Sequence, residues 1–213
     1  MTALTAMIDG VAVTADEGAT ILDAAELAGR SVPTLCFDDR QAPFGACRVC
    51  LVGVEGAPGP LPACTTPLRD GMVVDTRDPT ARRVAGAVVE LVLSELPAAP
   101  EPHTELAAVA RELEVDAGAL RWPGRQHAPR PEPRHPYLSL RHELCISCGR
   151  CVRACDEIQG TFALTAVGRG FDANVVAGLD EGFRASACVS CGACADTCPT
   201  GAITELSLLE VLS

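Results

Sequence analysis

Eight of the twelve cysteines lie between Cys145 and Cys198, in two runs of the same spacing. The first reads Cys145-Ile-Ser-Cys148-Gly-Arg-Cys151-Val-Arg-Ala-Cys155, and the second Cys188-Val-Ser-Cys191-Gly-Ala-Cys194-Ala-Asp-Thr-Cys198-Pro199. Each is a C-x2-C-x2-C-x3-C run. A short loop that turns around one iron–sulfide cube offers three thiolates. The fourth cysteine begins a helix that leaves the loop, and the helix carries its thiolate to the other cube. The spacing therefore assigns Cys145, Cys148, Cys151 and Cys198 to one [4Fe–4S] cluster, and Cys188, Cys191, Cys194 and Cys155 to a second. Gly149 and Gly192 let backbone N–H groups approach the sulfurs.

Paired C-x2-C units also make four-thiolate zinc sites, which is the alternative reading. Zinc sites present two cysteines per knuckle, whereas each run here has three plus a trailing fourth, and the second ends in Cys-Pro. A disulfide framework fits less well. The first residues, Met1-Thr-Ala-Leu-Thr-Ala-Met-Ile-Asp, show no positive segment followed by a long apolar core, and no run approaches 18 apolar residues. Neither a secretory signal nor direct membrane insertion is expected. The cysteines are then read as reduced thiolates in a cytoplasmic protein. A net charge of -11 argues against a nucleic-acid partner, which favours a basic face.

The first 78 residues have a different texture. Ala3–Ile8 and Val11–Thr14 alternate like strands around Asp9-Gly10, a type I′ hairpin signal. Thr20 caps a helix from Ile21 to Ala28, with Asp23 at the capping-box position and Gly29 at its end. Strands are expected at Val49–Val54 and Met72–Val74. Between them lie Cys36, Cys47, Cys50 and Cys64, spaced C-x10-C-x2-C-x13-C. Plant-type ferredoxins use C-x4-C-x2-C with a distant fourth ligand. Here the tight pair and late fourth cysteine are kept and the first gap is wider. Four thiolates after a hairpin and helix suit a [2Fe–2S] cluster in a β-grasp fold, with a four-cysteine zinc site as the alternative.

Residues 79–120 read as a helical connector. Val84, Val88, Leu91 and Val92 lie at helical spacing behind Pro79, and Leu106, Val109, Ala110 and Leu113 share one side of a second helix over Thr104–Val115. Both stripes are expected to be core. Residues 121–137 form a proline-rich, extended linker, expected to be ordered against the surface or a partner; for Arg121, Arg125, Arg130 and Arg134 along it, a plain solvated linker is favoured over an acidic partner surface. His103 reads as a solvated side chain. His127, His135 and His142 have no metal-site spacing and are read without a ligand role, with a hydrogen bond from His142, three residues before Cys145, near that cluster as the lesser alternative. Residues 138–213 complete the two-cluster domain. The fold class expected is α+β: an N-terminal β-grasp [2Fe–2S] domain, a short helical connector and a C-terminal 2x[4Fe–4S] ferredoxin-like domain.

Gly45-Ala46-Cys47-Arg48-Val49-Cys50 and its spacing resemble the N-terminal segment of the large iron–sulfur subunit of respiratory complex I. The segment is also similar to diaphorase iron–sulfur subunits of NAD-reducing hydrogenases, to iron-only hydrogenases and to NAD-dependent formate dehydrogenases. Cys148-Gly-Arg-Cys151-Val-Arg-Ala-Cys155-Asp-Glu-Ile-Gln-Gly160 and Gly168-Arg-Gly-Phe-Asp172 resemble the formate dehydrogenase and hydrogenase members most. Cys188-Val-Ser-Cys191-Gly192 and Cys198-Pro-Thr-Gly-Ala202 continue the match. Many relatives hold a further [4Fe–4S] cluster on H-x3-C-x2-C-x5-C between the two cysteine-bearing domains. This chain has no cysteine between Cys64 and Cys145, so that relay point is not expected.

No G-x-G-x-x-G following a strand and no P-loop motif is present. No pair of carboxylates or Cys/His/Ser constellation stands apart from the cysteine runs. The resemblance implies a non-catalytic subunit that relays single electrons between an NADH- and FMN-binding diaphorase subunit and a catalytic oxidoreductase subunit. That catalytic partner would be of formate dehydrogenase (molybdopterin) or [NiFe]-hydrogenase type. A stand-alone ferredoxin-like carrier and a split complex I subunit are the alternatives.

Overall fold

The computed structural model of the protein describes residues 3–130, 132 and 135–206. Arg134 and residues 207–213, parts of the expected linker and last domain, lie outside the described residues. Two units are formed: Met1–Phe37 with Pro43–Leu91 and Val109–Asp116, and Asp38–Ala42 with Val92–Ala108 and Ala117–Ser213. The stretch 79–120 is divided between them.

The first unit starts from its turn. Asp9 and Gly10 hold φ of 49° and 78°, the positive values a type I′ turn requires. They set β1 (Ala3–Ile8) antiparallel to β2 (Val11–Asp16), with Ile8 opposite Val11 and Ala3 opposite Asp16. Strand alternation then puts Ala6, Ile8, Val13 and Ala15 on the buried face. Helix α1 (Ile21–Leu27) joins this core through Ile21, Ala24 and Ala25. It starts at the expected capping box: Thr20 N–H donates to Asp23 Oδ2 at 2.6 Å, and Asp23 N–H to Thr20 Oγ1 at 3.3 Å. Gly29, at φ 66°, ends it.

Strand β3 (Leu51–Val54) pairs antiparallel with both β4 (Leu61–Pro62) and β5 (Val73–Asp75), and β5 runs parallel to β1. The five-stranded order is β2-β1-β5-β3-β4. A mixed sheet holding one helix is the β-grasp arrangement. The strand β4 was not expected, because two residues beside a Gly/Pro-rich loop show no alternation to read.

Helix α2 (Pro79–Glu95) forms where expected but turns a different face inward. Ala81, Ala85, Val89 and Leu93 are buried, while Val84 is 37% and Leu91 50% exposed. The buried stripe recurs every four residues, but its first two members are alanines, so the larger valines beside it masked the register. In α3 (Glu105–Glu112), Leu106, Val109 and Ala110 are buried as expected. The helix stops short of Val115, with Glu114 in a left-handed conformation at φ 58°.

The second unit contains two antiparallel pairs, β6 (Leu138–Leu140) with β9 (Ile203–Glu205) and β7 (Leu164–Val167) with β8 (Asn174–Ala177). Helices α4 (Arg150–Arg153) and α5 (Ala193–Asp196) each follow a glycine, Gly149 at φ 77° and Gly192 at φ 79°. Helix α4 widens into a π-helical turn over Ala154–Gln159. The proline-rich stretch has no regular structure but is not a free linker. His127 stacks on Phe171 with ring centres 4.2 Å apart, and the Arg125 guanidinium lies 3.8 Å from the same ring centre. Arg130 pairs with Asp180. No helix among the described residues is long and apolar enough to cross a membrane.

Candidate metal centres

All twelve cysteines are free thiols. In the first unit the sheet brings four together. Cys50 immediately precedes β3 and Cys64 follows β4, and Ala63 N–H donates to the Cys50 carbonyl at 2.8 Å. The Cys50 and Cys64 sulfurs are 3.3 Å apart. Gly45 and Arg48 hold φ of 65° and 59° on either side of Cys47, whose N–H donates to Cys36 Sγ at 3.4 Å. A side chain at Gly45 would bring its Cβ to 2.9 Å from Thr65 Cγ2, so this turn needs glycine. Cys36, Cys50 and Cys64 are buried.

Such closeness divides the charge unevenly. Hydrogen bonds from Cys47 and Cys64 hold the Cys36 thiol well below its ordinary value, and Cys64 lowers Cys50 to about 7. Cys64 is pushed far up by Cys36 and Cys50, and Cys47 by Cys36. Four thiolates at once require a compensating cation, which is the condition a metal centre meets.

In the second unit the cysteines stand around two cavities. One is lined by Cys145, Cys148, Cys151 and Cys198, with Leu140, Val175 and Ile203 behind them. The other is lined by Cys155, Cys188, Cys191 and Cys194, with Leu138, Leu164 and Phe183. Each cavity thus takes three cysteines from one run and the last from the other. The loops repeat one geometry: Ser147 and Ser190 adopt φ of 51° and 60°, and each donates its N–H to the preceding cysteine, Cys145 or Cys188, at 3.4 Å. Burial dominates the electrostatics, pushing Cys148 and Cys194 up to about 12 and Cys151 well above the ordinary thiol value. Among the described residues no three His, Cys, Asp or Glu side chains gather at a point that would hold a single metal ion.

A buried ionic network braces these loops. Arg150, between Cys148 and Cys151, donates from Nη1 to Glu105 Oε2 at 2.5 Å and from Nε to Thr197 Oγ1 at 2.9 Å. Thr197, the residue before Cys198, donates to Asp38 Oδ2 at 2.5 Å, and Arg40 Nη2 to the same oxygen at 2.8 Å. Asp38 lies well below the usual carboxylate range, chiefly through Arg40 and then Thr197. The sequence held no sign of this group, since Asp38 and Thr197 are far apart in the chain and neither has motif spacing.

The histidines take separate roles. His142 is buried between Asn174 Oδ1, 3.2 Å from Nδ1, and Glu132 Oε2, 3.3 Å from Nε2; its ring nitrogens do not serve the cysteines. His135 instead places Nε2 4.0 Å from Cys188 Sγ. His103 is exposed as expected.

Residues 1–79 match the 2Fe-2S iron-sulfur cluster binding domain family, and residues 144–202 the 4Fe-4S dicluster domain family. The chain is 30% identical to the mitochondrial NADH-ubiquinone oxidoreductase 78 kDa subunit of Neurospora crassa over 202 residues, 92% of this chain and 27% of that one. It is 33% identical to the NADP-reducing hydrogenase subunit HndD of Solidesulfovibrio fructosivorans over 218 residues, 96% of this chain and 36% of that one. The chain therefore spans only about a third or less of the curated relatives it matches. It also superposes on a chain of the NAD+-reducing [NiFe]-hydrogenase in the H2-reduced state, with a TM-score of 0.85 and 28% identity, covering 96% of this chain and 88% of that one.

Proposed function

Starting from a chain that is an iron–sulfur protein, homologous to the complex I 78 kDa subunit and to subunits of NAD- and NADP-reducing hydrogenases, we propose that it relays single electrons within a larger NAD(P)-linked oxidoreductase. Cys36, Cys47, Cys50 and Cys64 hold one [2Fe–2S] cluster. Cys145, Cys148, Cys151 and Cys198 hold a [4Fe–4S] cluster, and Cys155, Cys188, Cys191 and Cys194 hold another. The observation that carries this reading is the pair of cavities, each with four cysteines drawn crosswise from the two runs. Four thiols spread around a cavity suit a multi-atom cluster better than a single zinc ion, whose four ligands converge on a point.

When bound, such clusters accept and pass on one electron at a time. The chain supplies the thiolates, directs Ser147 and Ser190 N–H groups at two of their sulfurs, and surrounds both cavities with apolar side chains that limit water. Its electron partners are an NADH- and FMN-binding diaphorase subunit and a catalytic oxidoreductase subunit, of [NiFe]-hydrogenase or formate dehydrogenase type, in the cytoplasm. The likeness to a hydrogenase chain along nearly its whole length supports such an assembly.

Anaerobic purification tests both levels. The protein should be brown, contain about ten iron atoms per chain with matching sulfide, and give low-temperature EPR signals after dithionite reduction. A colourless zinc protein would falsify the cluster reading. A nickel or molybdopterin subunit that copurifies identifies the catalytic partner, and a brown chain that migrates alone in native sizing removes the subunit role.

A further inference from the structure

The two cavities of the second unit differ in what faces the first cysteine of each loop. His135 is 7% exposed, and its ring meets Phe183 and Tyr137 edge-on, with centres 5.6 and 6.1 Å away. Its Nδ1 accepts two backbone hydrogens, from Tyr137 N at 3.1 Å and Leu138 N at 3.0 Å. A ring nitrogen that accepts hydrogen bonds does not carry the proton, so the hydrogen of the neutral ring sits on Nε2. That nitrogen faces Ser190 Oγ at 3.3 Å and Cys188 Sγ at 4.0 Å. A second proton on Nδ1 would confront both backbone N–H groups.

Cys145 occupies the place of Cys188 in the other loop, and both accept the same serine N–H contact. The histidine near Cys145, His142, is engaged by Asn174 and Glu132 instead. One loop therefore has a neutral imidazole at its first cysteine, whereas the other, where backbone N–H groups of Ser147 and Val175 serve Cys145, has none among the described residues.

We infer that His135, fixed as its Nε2–H tautomer, is a positioning residue for electron transfer: it donates a hydrogen bond to the Cys188 thiolate and raises the potential of the cluster held by Cys155, Cys188, Cys191 and Cys194. An N–H directed at a ligand sulfur draws charge from it and favours the reduced, more negative state. Because the ring is neutral, it does this without adding a charge to the site. The inference rests on the proposed cluster at these four cysteines.

The test is an EPR-monitored redox titration of the full chain, purified anaerobically, beside His135→Phe. In the variant one [4Fe–4S] midpoint should fall by an amount equal to about a tenfold loss in its reduction constant, about 59 mV for one electron. The other two clusters should keep theirs. Full iron with unmoved midpoints overturns the inference alone, whereas a wild-type protein without clusters overturns the proposed sites as well. A measurement on the wild-type chain covers a variant that does not fold. With histidine labelled by 15N in the ring, pulsed EPR should show a histidine nitrogen coupled to one reduced [4Fe–4S] cluster. No such coupling overturns the inference.

Discussion

The two cysteine-bearing units solve one problem in opposite ways. In the first, thiols lie against one another, with the Cys50 and Cys64 sulfurs 3.3 Å apart, and the strands β3 and β4 hold them there. In the second, the thiols stand apart around cavities backed by apolar side chains. The charge problem follows the geometry. Neighbouring thiols dominate in the first unit, where Cys36 goes down and Cys64 up. Burial dominates in the second, where Cys148 and Cys194 rise to about 12. A sheet edge can hold a compact site by itself, while a cavity shared between two loops needs bracing from outside both.

The largest effects should come from swapping ligands within this contrast. Cys198→Ser should lose the same [4Fe–4S] EPR signal as Cys145→Ser, and Cys155→Ser the same signal as Cys188→Ser. In each, iron should fall by about four atoms per chain while the [2Fe–2S] signal stays. If Cys198→Ser instead matches Cys188→Ser, the ligands do not cross. Cys64→Ser should remove about two iron atoms and leave both [4Fe–4S] signals in place.

The bracing of the second unit comes next in size. Asp38 is nearly buried, with 3% of its side chain exposed, and compensates Arg150 and Arg40. Asp38→Ala leaves Glu105 as the one carboxylate paired with Arg150 among the described residues and should destabilise this unit by about 3 kcal/mol, read by anaerobic denaturant unfolding at neutral pH. The pH dependence has a fixed sign. Asp38 is held below its unfolded value of about 3.9, so its contribution is complete above that value and lost as pH falls through the acid range beneath it. The gap between wild type and variant should stay constant from about pH 5 to 8 and close only below about pH 4. Absorbance followed in parallel separates cluster loss from unfolding. A gap that varies near neutrality would mean that another group governs it.

The contrast also decides what the sequence could reveal. The hairpin, the capping box and the grouping of cysteines around the two cavities are local or strictly spaced, so they were legible. The Asp38–Thr197–Arg150 network joins distant segments with no shared pattern, and His135 meets Cys188 only because β6 and the second loop fold together. The register of α2 failed for a plainer reason: the inner stripe begins with two alanines, Ala81 and Ala85, beside the larger and exposed Val84. Val89→Ala should therefore cost roughly 2 kcal/mol, while Val84→Ala stays within about 0.5 kcal/mol. Equal losses would return the outer stripe to the core.

The smallest test falls on the first unit, where local chemistry suffices. Thr20 closes the capping box of α1 and accepts the Asp23 N–H that helix formation leaves unpaired. Thr20→Ala removes that acceptor and should cost about 1 kcal/mol. Because α1 packs through Ile21, Ala24 and Ala25 into the core that contains Cys50 and Cys64, the loss should appear as earlier thermal bleaching of the [2Fe–2S] visible circular dichroism. The [4Fe–4S] signals, held by the other unit's own loops and ionic brace, should bleach at the wild-type temperature. If all three bleach together, the two units unfold as one, and the independence that the contrast implies does not hold in solution.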